Sequence, residues 1–300
     1  LGLVHGLPPR PDQRVSRCYG VNVPPYNRWA YQNMRQIWPT VPVRPGKVAL
    51  EVPRAIDPRV ETVEVTRQDG TVADFGTFLR QTFTDSFMVI SKGRIIHETY
   101  LNGMTADQPH IMFSCTKSLA GLFALMALEE GLVTEDTPIV SILPELNNGR
   151  AFAAATFGQV LDMTTSVQFR EEFTDPAAEI NRYAAIFGAK AEAEGSAIPD
   201  SLYAFIGELV MEPGRQHGDA FAYQTPITDV LNWAVSRLTG QSFAELLEKR
   251  VWSRIGTDGE AYVLLDPSGI IFAGGGLIAT ANDLSRFAIM ALAGGRLGGE

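Results

Sequence analysis

A serine and a lysine three residues apart can do chemistry that neither does alone. The stretch IMFSCTKSLAGLFALMALEEG holds Ser114 and Lys117 at that spacing, followed by an apolar run without a charge until Glu129. Lysine is seldom fully buried unless paired or used, and the chain has five lysines against twenty arginines. Residues three apart on a helix share a face, so the Lys117 amine is expected within reach of the Ser114 hydroxyl. A serine hydroxyl is a weak nucleophile until a neighbouring base takes its proton. An ammonium cannot act so, but apolar surroundings and the positive end of a helix dipole both favour the neutral amine. The helix start also offers a backbone N–H to an oxyanion forming on an acyl group attacked by Ser114. One turn of helix is thus expected to supply nucleophile, base and half an oxyanion hole.

With fourteen serines and five lysines in 300 residues, chance predicts roughly 0.2 S-x-x-K matches, and the pattern occurs once. The plainer account is Ser114 as a helix cap and Lys117 as a solvated first-turn residue, and the apolar run behind them weighs against it. Other chemistries lack support. No G-x-S-x-G elbow is present, and HETYL at His97 is not a zinc-type H-E-x-x-H. The four histidines are scattered, so neither a metal site nor a cofactor is expected. His110 and His217 have no supporting motif and read as surface or loop histidines. The glycines of AGGGLIAT come without a phosphate-loop lysine and point to a bulge or a close backbone approach.

The elements that must position this pair are legible in outline. Residues 1–55, rich in Pro, Arg and aromatics, read as an extended arm over a core. FMVISKGRIIHETYL reads as a hairpin turning at Lys92-Gly93. The helix from Ser114 is expected to be buried all round and to end at Gly131. TEDTPIVSIL, TFGQVLDM and TDVLNWAVSRLTG read as helical pieces. IIFAGGGLIAT reads as an apolar strand with a glycine kink, and NDLSRFAIMALAGG as a last helix. Strands early and late with helices between them predict an α/β layer interrupted by a helical region. The expected division is an arm over 1–75, an α/β domain from 76–135 and 246–300, and a helical domain over 136–245.

The apolar fraction of 45% and charged fraction of 20% are those of a soluble globular protein. A net charge of −9 argues against a nucleic-acid partner, and no basic run suggests an anionic membrane. No uncharged stretch reaches the length of a spanning helix. Cys18 and Cys115 form no disulfide framework, and the N-terminus lacks the pattern of a signal peptide. A cytoplasmic protein is the expectation, or a periplasmic one if a leader has been removed.

S-x-x-K at the head of an apolar helix resembles the serine β-lactamase and penicillin-binding-protein superfamily. TKSLAGLFALMALEEGLVTEDTPIVSILPEL is similar to that group's active-site helix and following loop. TFGQVLDMTTSV resembles its next helix, and GGGLIATANDLSRFAIMALAGGRL its late strand and helix. NVPPYNRWAYQNM resembles the amino-terminal arm of the 6-aminohexanoate-dimer (nylon oligomer) hydrolase branch, related to class C β-lactamases and to esterases. The resemblance implies an antiparallel sheet flanked by helices, with an inserted all-helical region. It also implies a downstream tyrosine that moves a proton. Tyr31-Gln32-Asn33 and Tyr100-Leu101-Asn102 match Y-x-N but precede Ser114, the wrong order for this fold. In AFAYQTPITDVLNW, Tyr223 falls at the family's position, with Thr225 in place of the usual Asn or Ser.

Two departures accompany the likeness. Where nylon oligomer hydrolases place a tyrosine against the leaving amide, EEFTDP places Phe173, which has no hydroxyl and favours esters. The family's late K-T-G or H-x-G is missing from the 300 residues, and the functional protein is therefore expected to continue past Glu300. The implied activity is a serine hydrolase for small carboxylic esters or amides. Ser114, Lys117 and Tyr223 are expected to be catalytic, and Phe173, Cys115 and Thr225 to touch substrate. The rivals are a β-lactamase or D,D-peptidase and, of another class, an acyl-binding sensor that acylates without turnover.

Overall fold

The computed structural model describes residues 3–16, 21–188 and 198–296, and Cys18 lies outside them. In chain order the chain forms α1 (Asn27–Ala30), β1 (Thr40–Val43), β2 (Glu64–Thr66), β3 (Val72–Asp74), α2 (Phe75–Gln81), β4 (Ser86–Ser91), β5 (Arg94–Tyr100) and β6 (His110–Ile111). Helices follow: α3 (Thr116–Glu129), α4 (Ile139–Ile142), α5 (Phe157–Leu161), α6 (Glu179–Ile186), α7 (Leu202–Glu208), α8 (Thr225–Thr239) and α9 (Phe243–Leu246). Last come β7 (Ala261–Leu264), β8 (Leu277–Ala279) and α10 (Ala281–Leu292). No described helix is long and apolar enough to cross a membrane. The chain divides into two compact units.

The first unit comprises Leu1–Val43, Ile111–Lys249 and Tyr262–Ile278. Its sheet runs β1-β7-β8-β6. β7 and β8 pair antiparallel, with Tyr262 opposite Ile278 and Val263 opposite Leu277. Both strands are buried along their length, which is why AYVL and LIA read as continuous apolar runs rather than as alternation. Helices flank the sheet, and α3 packs against α8. Every residue from Thr225 to Val235 on α8 is buried, and the helix ends at Gly240 in the left-handed conformation, a position glycine takes without a Cβ penalty. Phe123 of α3 meets Phe243 of α9 edge-on, with ring centroids 5.4 Å apart. Burying each such side chain is worth roughly 1.5–3 kcal/mol.

α3 departs from expectation. It buries Leu119, Ala120, Phe123, Ala124 and Ala127, the stripe of a one-sided helix, while Leu125 is 55% exposed. A run without charges is not the same as a run buried on every side: the small Ala120, Ala124 and Ala127 lie on the packed face, and the opposite face carries Ser118, Leu122 and Leu125 towards solvent. The arm is also less extended than expected. It holds α1 and strand β1 and buries Val21, Ala30, Met34, Trp38 and Val43. Elements of four residues are too short to leave a periodic signature.

The second unit comprises Arg44–His110, Arg250–Ala261 and Ala279–Glu300. The expected hairpin is there: β4 and β5 pair antiparallel, with Ser91 opposite Arg94. Lys92 and Gly93 turn it with φ of +50° and +72°, the mirror-image turn that matches strand twist. Phe75, Phe87 and His97 form an edge-to-face cluster beneath it. In α10, Thr280 caps the first turn by accepting from Asp283 N–H, and Arg286 pairs with Asp283 at 3.1 Å.

Candidate active site

All parts of the candidate site belong to the first unit. The chain leaves β6 and enters a single 3₁₀ turn, Phe113–Cys115, before α3 begins at Thr116. This turn is stapled to β8. Met112 N–H donates to Leu277 O at 2.8 Å, and Leu277 N–H donates to Thr116 Oγ1 at 3.0 Å. Phe113 takes φ of +44°, a strained value for a side chain of its size, and its ring stands edge-on to Tyr31 at 4.9 Å. Strain of this kind persists only where neighbours impose it. Its effect is a sharp turn that leaves Ser114 exposed at the mouth of a cavity.

Lys117 is half-buried and meets three oxygens. Its Nζ lies 3.0 Å from Ser114 Oγ, 3.1 Å from Thr225 Oγ1 and 2.5 Å from Gly274 O. The Tyr223 ring is 5.1 Å away, in cation–π range. Serine, lysine, tyrosine and Thr225 are therefore brought together, from the turn before α3, from α3, and from the start of α8. Gln224 anchors the start of α8, donating to Val167 O at 2.7 Å and Phe169 O at 3.0 Å. The Glu171 carboxylate accepts from Thr225 N–H.

The glycines expected to bend a strand instead form a turn, Ala273–Gly275, and only Leu277–Ala279 is strand. The reason is proximity: a Cβ on Gly274 would lie 2.6 Å from Thr225 Cγ2, and one on Gly276 2.6 Å from Phe272 O. The close backbone approach expected of these glycines is thus what carries the Gly274 carbonyl to Lys117.

The cavity has a volume of about 780 Å³ and an aromatic wall that includes Tyr31, Trp38, Phe173, Tyr183, Tyr223 and Phe272. Phe173 is 64% exposed at its edge. Cys115 is an exposed free thiol that does not line the cavity. His217 sits elsewhere, its Nδ1 accepting from Ser166 N–H at 2.9 Å, and burial pushes its pKa down. His110 faces Asp85 at 3.3 Å within the second unit. Among the described residues, no group of three or more His, Cys, Asp or Glu could hold a metal ion.

Sequence reasoning missed several members. Tyr31 and Trp38 come from the arm, where Trp38 Nε1 donates to Phe187 O at 2.7 Å. Asp229, fully buried on α8, accepts from Gly274 N–H at 2.9 Å and from the Tyr183 hydroxyl. Burial pushes its carboxyl up to about 7, against the pull of those two donors and of the Lys117 charge. An acid inside the apolar run PITDVLNWAV, one turn beyond Thr225, was the available signal.

The sequence and the fold are similar to those of known proteins. The chain is 31% identical over 274 residues to the 6-aminohexanoate-dimer hydrolase of Paenarthrobacter ureafaciens, covering 90% of this chain and 66% of that protein. It therefore spans just under two thirds of that relative's length. A solved structure from Bacillus anthracis, provisionally named a 6-aminohexanoate-dimer hydrolase, superposes with a TM-score of 0.87 at 28% identity, covering 97% of this chain and 75% of that one. A provisionally named β-lactamase from Bacteroides dorei shares the fold, with a TM-score of 0.56 at 20% identity over 75% of this chain and 63% of that one. The Beta-lactamase family matches from residue 73 to residue 300, and the chain belongs to that family.

Proposed function

We propose that the protein is a serine hydrolase that cleaves small carboxylic esters or amides through an acyl-enzyme at Ser114. The observation that carries this reading is the set of three oxygens around Lys117 Nζ. A neutral amine has two N–H donors and one lone pair. Nζ donates to all three oxygens; once it gives up a proton, the two remaining donors stay with Gly274 O and Thr225 Oγ1 and the lone pair turns to the Ser114 hydroxyl, as a general base requires.

The steps follow from that geometry. Lys117 takes the hydroxyl proton as Ser114 Oγ bonds to the substrate's acyl carbon, and the Ser114 backbone N–H steadies the oxyanion. The proton then reaches the leaving oxygen or nitrogen through Tyr223, the acyl–heteroatom bond breaks, and alcohol or amine departs. Water, deprotonated by the same pair, attacks the acyl carbon, the acyl–Oγ bond breaks, the proton returns to Ser114 Oγ and the acid departs. The aromatic cavity and the absence of a hydroxyl on Phe173 support an apolar ester in preference to an amide. The homologous 6-aminohexanoate-dimer hydrolase supports hydrolysis as the reaction class.

The test is steady hydrolysis of p-nitrophenyl butyrate by the full-length protein and by Ser114→Ala. Continuous nitrophenolate release that disappears with the serine supports a hydrolase. A single stoichiometric burst with no further turnover would instead assign an acyl-binding protein.

A further inference from the structure

The steps above leave one buried ionisable group beside the site unused. Asp229 is 1% exposed and lies four residues beyond Thr225 on α8, so the two share a helix face. That face reaches Lys117 twice. Thr225 Oγ1 meets Nζ directly at 3.1 Å. Asp229 Oδ1 receives the Gly274 N–H at 2.9 Å, and the carbonyl of the same glycine receives Nζ at 2.5 Å. The other carboxyl oxygen is held by the Tyr183 hydroxyl of α6. An unneeded carboxyl is costly to bury, and its helix neighbours Ile227, Val230 and Leu231 are apolar and equally buried.

We propose, on the reading of Ser114 as nucleophile and Lys117 as base, that Asp229 is a positioning residue. It clamps Gly274 so that the glycine carbonyl holds the Lys117 amine against the Ser114 hydroxyl. The groups facing Asp229 are Tyr183 from α6, Tyr203 from α7, Lys117 from α3 and the N–H groups of Ala273 and Gly274. Glu171 and Asp266 add their charges to the same cluster through Tyr183. A carboxyl that burial pushes up to about 7 is neutral behind the amine on one side of that pH and anionic on the other. Gly274 links that carboxyl to the amine through its N–H on one side and its carbonyl on the other, so the reaction senses the state of Asp229.

The test uses Asp229→Asn and Asp229→Ala in the full-length protein, with two readouts. In the first, Asp229→Ala lowers kcat for p-nitrophenyl butyrate by about 10–100-fold with KM within about threefold, as expected for a loss of base alignment rather than of binding. Asp229→Asn, which keeps an acceptor for Gly274 N–H, recovers most of that loss. Its kcat–pH profile lacks the inflection near 7 that the carboxyl gives the wild type. The second readout needs no turnover. The infrared carbonyl stretch of the protonated carboxyl disappears in Asp229→Asn, and in Lys117→Met it persists to higher pH because the cation is gone. Equal losses in Asn and Ala with unchanged pH profiles, or an infrared titration unmoved by Lys117→Met, overturn the proposal. Where Asp229→Ala does not fold, Asp229→Asn and the infrared arm carry the test. Without Ser114-dependent turnover the hydrolase reading falls by itself, and the infrared arm then decides for or against the Asp229–Lys117 link.

Discussion

Thr225 and Gly274 approach so closely that the glycine has no room for a side chain, because a Cβ there would lie 2.6 Å from Thr225 Cγ2 and 3.2 Å from Thr225 O. The contact joins the start of α8 to the turn before β8, and it is this contact that delivers the Gly274 carbonyl to Lys117. The backbone oxygen cannot swing aside as a flexible side chain would. Gly274→Ala is therefore expected to destabilise the fold by about 1–3 kcal/mol and to lower kcat more than KM. Urea unfolding together with ester kinetics checks both halves, and a variant that matches the wild type in both would contradict the packing described.

Asp229 is expected to impose a pH dependence on stability. Its carboxyl is raised from 3.8 to about 7 by burial, with Tyr183, Gly274 and Lys117 pulling the other way. The folded state thus holds the proton more tightly than the unfolded chain, so stability falls as pH rises from about 4 to about 7. The loss across that window is on the order of 3–4 kcal/mol. Asp229→Asn cannot ionise and is expected to flatten this slope, gaining on the wild type as pH rises. Urea midpoints across the window measure it, and parallel profiles would show that Asp229 does not carry the dependence.

On the proposed hydrolase reading, Phe173 is expected to bear on the choice between esters and amides. It lines the cavity with its ring half in solvent and offers no hydroxyl to a leaving nitrogen. Phe173→Tyr is expected to raise amide hydrolysis about 2–10-fold, the worth of one modest hydrogen bond, with ester hydrolysis nearly unchanged. Paired anilide and ester substrates of the same acyl group provide the comparison. An equal change in both would place Phe173 outside leaving-group recognition.

The two sides of α3 are expected to answer mutation differently. Phe123, 3% exposed against Phe243, loses about 3–5 kcal/mol on truncation to alanine. Leu125, 55% exposed, changes stability by only about 0.5 kcal/mol when replaced by serine. Thermal or urea unfolding separates the two outcomes, and a large loss at Leu125 would restore the fully buried helix that the uncharged run suggests.

What was legible in the sequence is what depends on local rules. The Lys92-Gly93 hairpin is written in a short turn between β-branched runs, and the Ser114–Lys117 pairing follows from the rise of one helical turn. The Thr156 and Gln159 capping box that opens α5 lies inside TFGQVLDM for the same reason. The unread parts are those set by distant contacts. Tyr31 and Trp38 reach the cavity because the arm folds back, Trp38 bonding a carbonyl 149 residues away. Tyr31 stands beside Phe113 at the mouth of the cavity although its Y-x-N pattern falls on the wrong side of Ser114 in the chain. Asp229 and Tyr183 come together from separate helices, and no spacing rule links positions on two helices. The glycine turn read as a strand because apolar residues flank it, whereas the crowding by Thr225 and Phe272 that demands glycine exists only once the chain has folded.

The central claim is a covalent bond to Ser114 Oγ. The most direct measurement is the intact mass of the full-length protein mixed with excess p-nitrophenyl butyrate and quenched in acid, with the adduct located by peptide mapping. The account predicts a transient butyryl mass on the peptide carrying Ser114, absent in Ser114→Ala and slow to form in Lys117→Met. Ester hydrolysis without an adduct, or an adduct on another residue that persists in Ser114→Ala, would contradict it.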